Sequence, residues 1–206
     1  LEALAITPAT IASLIIAISF AAGLNVYATV CTLGLIARMH WIVLPGELGA
    51  LGNGWIIAVS GALFLLELFA DKVPGFDLIW NALHTFIRIP AAALMAYAAS
   101  SHLSPEQKLI VTVLGGVIAS IAHSSKTAAR VLVTPSPEPV SNIALSSAED
   151  VGAIGLTWVA TRHPLAAGIA TGVLSLALVA ALWFTFKRIR AALVKFRSRR
   201  REARAT

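Results

Sequence analysis

The sequence predicts an all-α fold: a polytopic integral-membrane helical bundle of about six spans. Three observations carry this. Charge is scarce, since only 13% of the 206 residues are Asp, Glu, Lys or Arg, where a soluble domain carries about a quarter. Apolar residues make up 58% and mean hydropathy is +0.83, in runs far longer than a core helix needs. The charge is also segregated. Residues 187–206 hold nine cations against one acid, and residues 1–186 hold seven against nine. The net charge of +6 therefore belongs to a tail, and the body is slightly acidic. A soluble globular domain is excluded. One transmembrane domain is expected over 1–186, followed by a basic cytoplasmic tail over 187–206.

A bilayer core about 30 Å thick needs about 20 helical residues at roughly 1.5 Å each. Residues 1–8 lack the basic stretch of a secretory signal, so the segment from Pro8 is expected to be mature membrane helix behind a trimmed start. Pro8 to Ala37 carries no charge over 30 residues. One straight helix of that length is too long for a simple crossing, and Ala22-Gly23-Leu24-Asn25 is the expected break. The first span is thus a long or discontinuous helix ending at Arg38. A Gly/Pro loop follows over 41–54, with Trp41 and Trp55 placed as interfacial aromatics. The second span runs from about Trp55 to Asp71 and stops at Lys72-Val73-Pro74-Gly75. The third, about Phe76 to Ser100, divides at Pro90 into an amphipathic half, DLIWNALHTFIR, and a small-residue half, AAALMAYAAS. It is either a kinked span or an interfacial helix leading into a short one. Ser104-Pro105-Glu106-Gln107 starts a helix, and the fourth span continues to Val133. Three prolines between 135 and 139 forbid helix. Ser141 to Ala160 is the fifth span, and the sixth runs from His163-Pro164 to Phe186.

The basic tail places the C-terminus in the cytoplasm, the membrane being a bacterial inner membrane. Six spans then put the N-terminus inside as well, and the halves 8–100 and 107–186 face opposite ways. Each half has a long first helix and an acid-bearing second one, the pattern of a 3+3 inverted repeat. Five spans, with the third only dipping in, is the competing arrangement. Interleaved apolar residues in the tail suit a helix lying on anionic lipid. Its tether to the bilayer argues against nucleic acid.

Ionisable residues inside a membrane are costly, so each is a candidate functional residue. Glu67 and Asp71 share one face of the second span. His123, Lys126 and Arg130 share one face of the fourth. Glu149 and Asp150 are adjacent in the fifth and point about 100° apart. By helical rise, Glu67 and Glu149 fall at roughly equal depth. Four acids, Glu67, Asp71, Glu149 and Asp150, are thereby expected to meet Lys72, Lys126 and Arg130. The functional interpretation is a path for protons or cations, or a site for a charged solute. The structural alternative is a salt-bridge network pinning helices, with the long cations snorkelling to water. Asn25 beside Gly23 is either a kink or an unwound point whose carbonyls coordinate a cation. Glu138 lies in the proline loop, either a rigid turn or a re-entrant segment lining a cavity. His84 sits on the amphipathic half of the third span, while His40, His102 and His163 sit at span ends. Gly168 and Gly172 have the spacing of close helix packing.

The single cysteine, Cys31, allows neither an intrachain disulfide nor a thiolate metal site. No HExxH, GxSxG, Walker loop or CxxC occurs, so no enzyme is expected and no cofactor is assigned.

Several strings together resemble a known family. They are Gly23-Leu24-Asn25; Glu67-xxx-Asp71-Lys72-x-Pro74-Gly75-x-Asp77; His84-Thr85-Phe86-Ile87-Arg88-x-Pro90; Ser136-Pro137-Glu138-Pro139-xx-Asn142; and Glu149-Asp150. Over about residues 11–165 the chain resembles the bacterial and plant membrane family called domain of unknown function 4126. The resemblance implies a polytopic helical membrane protein and supplies no activity. It implies that Glu67, Asp71, Glu138, Glu149 and Asp150 belong to the family's pattern. A more distant similarity is to the lysine-exporter superfamily of transporters, some of which carry an E-x-G-D-K/R motif. Glu67-Leu-Phe-Ala-Asp71-Lys72 has one residue more and no glycine.

The expected function is a small transporter or ion-conducting protein, forming a homo-oligomer. Glu67, Asp71, Glu149 and Asp150 would bind a cation, a proton or a charged solute, with His123, Lys126 and Arg130 as counter-charges. The alternative is a non-catalytic scaffold or assembly subunit whose buried charges are structural.

Overall fold

A computed structural model describes residues 7–70, 76–133 and 139–202. All regular structure among these residues is helical. The helices are α1 (Pro8–Leu24), α2 (Val26–Arg38), a short 3₁₀ helix (Gly46–Gly52), α3 (Gly54–Ala70), α4 (Phe76–Ala99), α5 (Pro105–Val133), α6 (Pro139–Arg162) and α7 (Pro164–Glu202).

Three segments are long and apolar enough to cross a membrane: Ile79–Ala99, Pro105–Arg130 and Pro164–Arg188. A fourth arises if the 3₁₀ helix and α3, bent by 74° at their junction, count as one. The outward faces are apolar, with Trp55, Phe69, Phe86, Val151 and Leu176 exposed. A water-soluble monomer does not carry so much large apolar surface. This is the surface of a membrane protein.

The bundle is wrapped around α1. Thr7 and Thr10 form a reciprocal cap at its start, each side chain accepting the other's backbone N–H, and Pro8 occupies the first turn where no N–H is needed. The helix is apolar all round, which suits a helix with no solvent face. It packs against α4, α5, α6 and α7. In lipid there is little hydrophobic force between helices, so close packing of small residues must hold them. The core shows this in Ala92, Ala96, Ala99, Ala119, Ala122, Ala153, Ala160 and Ala167, all buried. Gly23 is the tightest case on α5. A Cβ there would lie 2.5 Å from the Ala119 carbonyl oxygen and 2.7 Å from Ala122 Cβ. Of the pair noted in α7, a Cβ on Gly168 would lie 2.5 Å from Ser13 Cβ, whereas one on Gly172 meets nothing within 4 Å.

The break near residue 25 is present, but the chain does not continue along one axis beyond it. Thr10 and Ile11, at the start of α1, line one small cavity with Leu44 and Pro45, just past the end of α2, and with Ala160 near the end of α6. Trp41 stacks edge-on against Trp158, centroids 5.3 Å apart. Asn25, in contrast, reaches Asp150 in the middle of α6. So α1 descends and α2 returns, making a helical hairpin with Asn25 at its buried tip. Residues 8–38 therefore turn back at Asn25, so that the start of α1 and the segment after α2 lie at one end of the bundle. The cause is tertiary: α2 packs on α3 and α6, and these partners draw it back.

Of the two alternatives for the third span, the one with a single helix through Pro90 is present: α4 runs from Phe76 to Ala99, and its Ile79–Ala99 stretch is long and apolar enough to cross a membrane. Pro removes one backbone hydrogen bond and clashes with the preceding turn, a loss that membrane helices tolerate when neighbours pack around it. One face of α4, Asn81, His84, Arg88, Ala92, Met95, Ala96 and Ala99, is buried throughout. That continuous seam holds α4 against α5 and α1 across the proline. The basic tail likewise continues α7 without a break.

Candidate functional site

The ionisable residues meet where the hairpin tip touches α3, α4, α5 and α6. Asn25 has an extended backbone (φ −150°, ψ 103°) and serves both helices that flank it. Its N–H bonds the Ala21 carbonyl at 2.9 Å, ending α1. Its Oδ1 accepts from the Ala28 N–H at 2.9 Å, capping α2. Its Nδ2 then donates to Asp150 Oδ1 at 2.8 Å. The N-terminal end of α2, with its partial positive charge, thus faces a carboxylate.

The C-terminal end of α1 does the reverse. The Leu24 carbonyl accepts from Lys126 Nζ at 3.1 Å, so a cation sits at the negative end of that helix. Lys126 Nζ also lies 3.5 Å from Glu67 Oε1 and 3.3 Å from Glu149 Oε2. One ammonium therefore joins three elements. Arg130 donates to Glu149 Oε2 at 2.6 Å. Glu149 and Asp150, adjacent in sequence, fan apart as the helix dictates, one toward α5 and the other toward the hairpin.

Glu67 makes its closest contact with Arg88, whose guanidinium donates to Oε1. Arg88 also donates to Asn81 Oδ1 at 3.1 Å and lies 3.1 Å from His123 Nδ1. A guanidinium nitrogen has only hydrogens to offer, so His123 Nδ1 must be an acceptor. The ring proton then resides on Nε2, which faces Thr85 Oγ1 at 2.7 Å. His84 is fixed by the same logic. Its Nδ1 donates to the Trp80 carbonyl at 2.7 Å, leaving Nε2 to accept from the Tyr27 hydroxyl at 3.1 Å. Both rings hold one tautomer through their partners.

Of the residues expected from sequence, Glu67, Lys126, Arg130, Glu149, Asp150, His123 and Asn25 are all buried and belong to this one connected network. Asp71 and Glu138, with Lys72, lie outside the described residues. Lys126 and Arg130 do not snorkel: both side chains are fully buried, because the hairpin tip and α6 cover the route to water. Arg88 is the member that the charge inventory missed. Its signal was the spacing of Asn81, His84, Thr85 and Arg88, which puts all four on one face of α4. Among the described residues, no group of three His, Cys, Asp or Glu converges as metal ligands.

The tip carries a direct test. Asn25→Ala removes a helix cap, worth about 0.5–2 kcal/mol, and the neutral partner of Asp150. Thermal unfolding in detergent should therefore show Asn25→Ala less stable than wild type. A double-mutant cycle with Asp150→Asn should give coupling above about 0.5 kcal/mol. Additive effects would mean that the Asn25–Asp150 bond does not join the hairpin to α6.

The family model described as "Domain of unknown function (DUF4126)" matches residues 12–184. No curated protein and no solved structure matches the chain.

Proposed function

The chain belongs to that family of unknown function, and from this premise we propose that it moves a small cation or protons across a membrane, with the hairpin tip as its binding region. The observation that carries this is the meeting of two half-length helices inside the bundle. The carbonyl end of α1 faces the Lys126 ammonium, and the N–H end of α2 faces Asp150. Discontinuous helices whose ends meet at depth are how membrane carriers present backbone charge to ions. Carboxylates from α3 and α6 flank the same point.

The topology that accompanies this proposal takes α4, α5 and α7 as crossing helices, the 3₁₀ helix with α3 as a fourth, the 24-residue α6 as a fifth on length alone, and α1 with α2 as one re-entrant hairpin. It is proposed beside the six-span inverted arrangement, and what supports it is the turn at Asn25 that brings Thr10 and Ile11 close to Leu44 and Pro45. The basic end of α7 belongs in the cytoplasm, so the hairpin dips in from the outer face.

The competing interpretation is a scaffold whose charges pin five elements together, and the density of pairing in the network favours it. Liposomes separate the two. Protein reconstituted with an internal pH dye is challenged with gradients of protons and alkali cations. Wild type is expected to conduct, and Glu149→Gln and Glu67→Gln to lose at least about tenfold in rate, since the carboxylates are the exchanging groups. Equal flux in wild type and both variants, each folded and monodisperse, or no flux in any of them, would leave the scaffold interpretation standing.

A further inference from the structure

We propose that a membrane phospholipid occupies a cleft between α2, α3 and α4, with one acyl chain lying in the cleft and the phosphodiester against Arg38. The cleft holds about 400 Å³ and is lined by Tyr27 and Val30 of α2, Val59 and Leu63 of α3, and Ile87 and Ala91 of α4. That volume is in the range of small-ligand sites. It stays open because α3 packs chiefly on α2 and touches α4 little. Binding there is independent of whether the protein moves ions.

The lining selects hydrocarbon. Two of its side chains carry hydroxyls, and both are satisfied inside the protein. The Tyr27 hydroxyl lies 3.1 Å from His84 Nε2 on α4, and Ser60 Oγ donates to the Ile56 carbonyl at 2.7 Å. What remains toward the cleft is apolar. A polar solute would give up its hydration there without finding a partner. An acyl chain has no hydration to lose and gains packing contacts.

Length and charge identify the chain's owner. From Trp55 to Leu63 α3 rises about 12 Å, close to the roughly 15 Å of hydrocarbon in one leaflet. The cleft thus runs down a single leaflet, from an interfacial mouth to Val26 beside the hairpin tip. Trp55, 81% exposed, marks that mouth as an interfacial aromatic. Arg38 ends α2 at the same level: a Cβ built on Gly54, the residue before Trp55, would lie 3.3 Å from its Nη1. Arg38 is exposed and, among the described residues, has no acidic partner. A guanidinium fork at the head of an apolar cleft of acyl length suits the two free oxygens of a phosphodiester. A helix from a second copy, about 10 Å across, would displace roughly 1,000 Å³ over that length, more than the cleft holds.

Native mass spectrometry of the protein in mild detergent tests this, with phosphatidylglycerol as the probe and diacylglycerol of the same chains as the probe without a phosphate. Wild type is expected to retain one phosphatidylglycerol and to bind diacylglycerol at least about fivefold more weakly. Arg38→Gln should lose about the same factor for phosphatidylglycerol and nothing for diacylglycerol, because only the phosphate contact is gone. Val59→Trp fills the cleft and should lower retention of both lipids at least about tenfold. Val113→Trp, on the exposed face of α5, should bind as wild type does. Equal retention in wild type and every variant would mean ordinary surrounding lipid and overturns the proposal, as does a wild type that retains none. A wild-type dimer that Val59→Trp converts to a monomer without loss of lipid would assign the cleft to a second copy and overturns it as well. If Val59→Trp does not accumulate, Arg38→Gln and the diacylglycerol comparison decide: phosphatidylglycerol bound equally by wild type and Arg38→Gln is the overturning result.

Discussion

Arg88→Met is expected to destabilise the protein by about 3–5 kcal/mol, the largest effect of a single substitution in the bundle. The reason is the charge it leaves behind. Glu67 is fully buried, and its closest partner is the Arg88 guanidinium. Removing the arginine strands a carboxylate in a low-dielectric interior, with Lys126 at 3.5 Å as its nearest described cation. Asn81 and His123 lose the same donor. The double variant Glu67→Gln/Arg88→Met should recover most of the loss, because removing both charges avoids the uncompensated one. Thermal unfolding of the purified protein in one detergent, followed by tryptophan fluorescence, measures all three. A single variant that melts within a degree of wild type would mean that water reaches Glu67.

Gly23→Leu comes second. A Cβ at this position already meets the Ala119 carbonyl at 2.5 Å, and the obstruction is helix backbone, which cannot rotate aside. Overpacking of a well-filled core costs about 1–3 kcal/mol and more where backbone must shift. The position lies two residues before Asn25, so a displaced α1 carries the Leu24 carbonyl away from Lys126. Both lower thermal stability and loss of flux are expected. Gly172→Leu is the matched control, since nothing lies within 4 Å of its added Cβ. It should stay within about 0.5 kcal/mol of wild type. Equal behaviour of the two variants would contradict the close contact of α1 with α5.

The helix limits and the break at residue 25 were legible because both are local. Hydropathy marks helix length, and Gly23 with Asn25 marks a point where the helix stops. The direction taken after the break was not legible. It depends on Asp150, 125 residues away, and on the packing of α2 against α3 and α6. A 30-residue apolar stretch reads the same whether it crosses a bilayer or dips and returns. The site was readable to a similar extent. Scarce charge selected Glu67, Lys126, Arg130, Glu149 and Asp150, since each is expensive in lipid. Arg88 escaped because the first half of its helix is amphipathic and suggested a surface. His123 shows the remaining limit. Sequence placed it on one face with Lys126, but only its contacts with Arg88 and Thr85 fix which nitrogen bears the proton.

The enclosure of α1 bears on how the protein is made. This helix leaves the ribosome before the four helices that surround it, α4 to α7. Until they arrive, its Gly23 and Ser13 faces meet lipid or the insertion machinery in place of Ala119 and Gly168. Its enclosure must wait for contacts distant in sequence, which are the slow ones to form. The hairpin thus enters early, and α7, the last of the five helices to be synthesised, closes the seam. Enclosure of α1 is thereby tied to completion of the chain through α7.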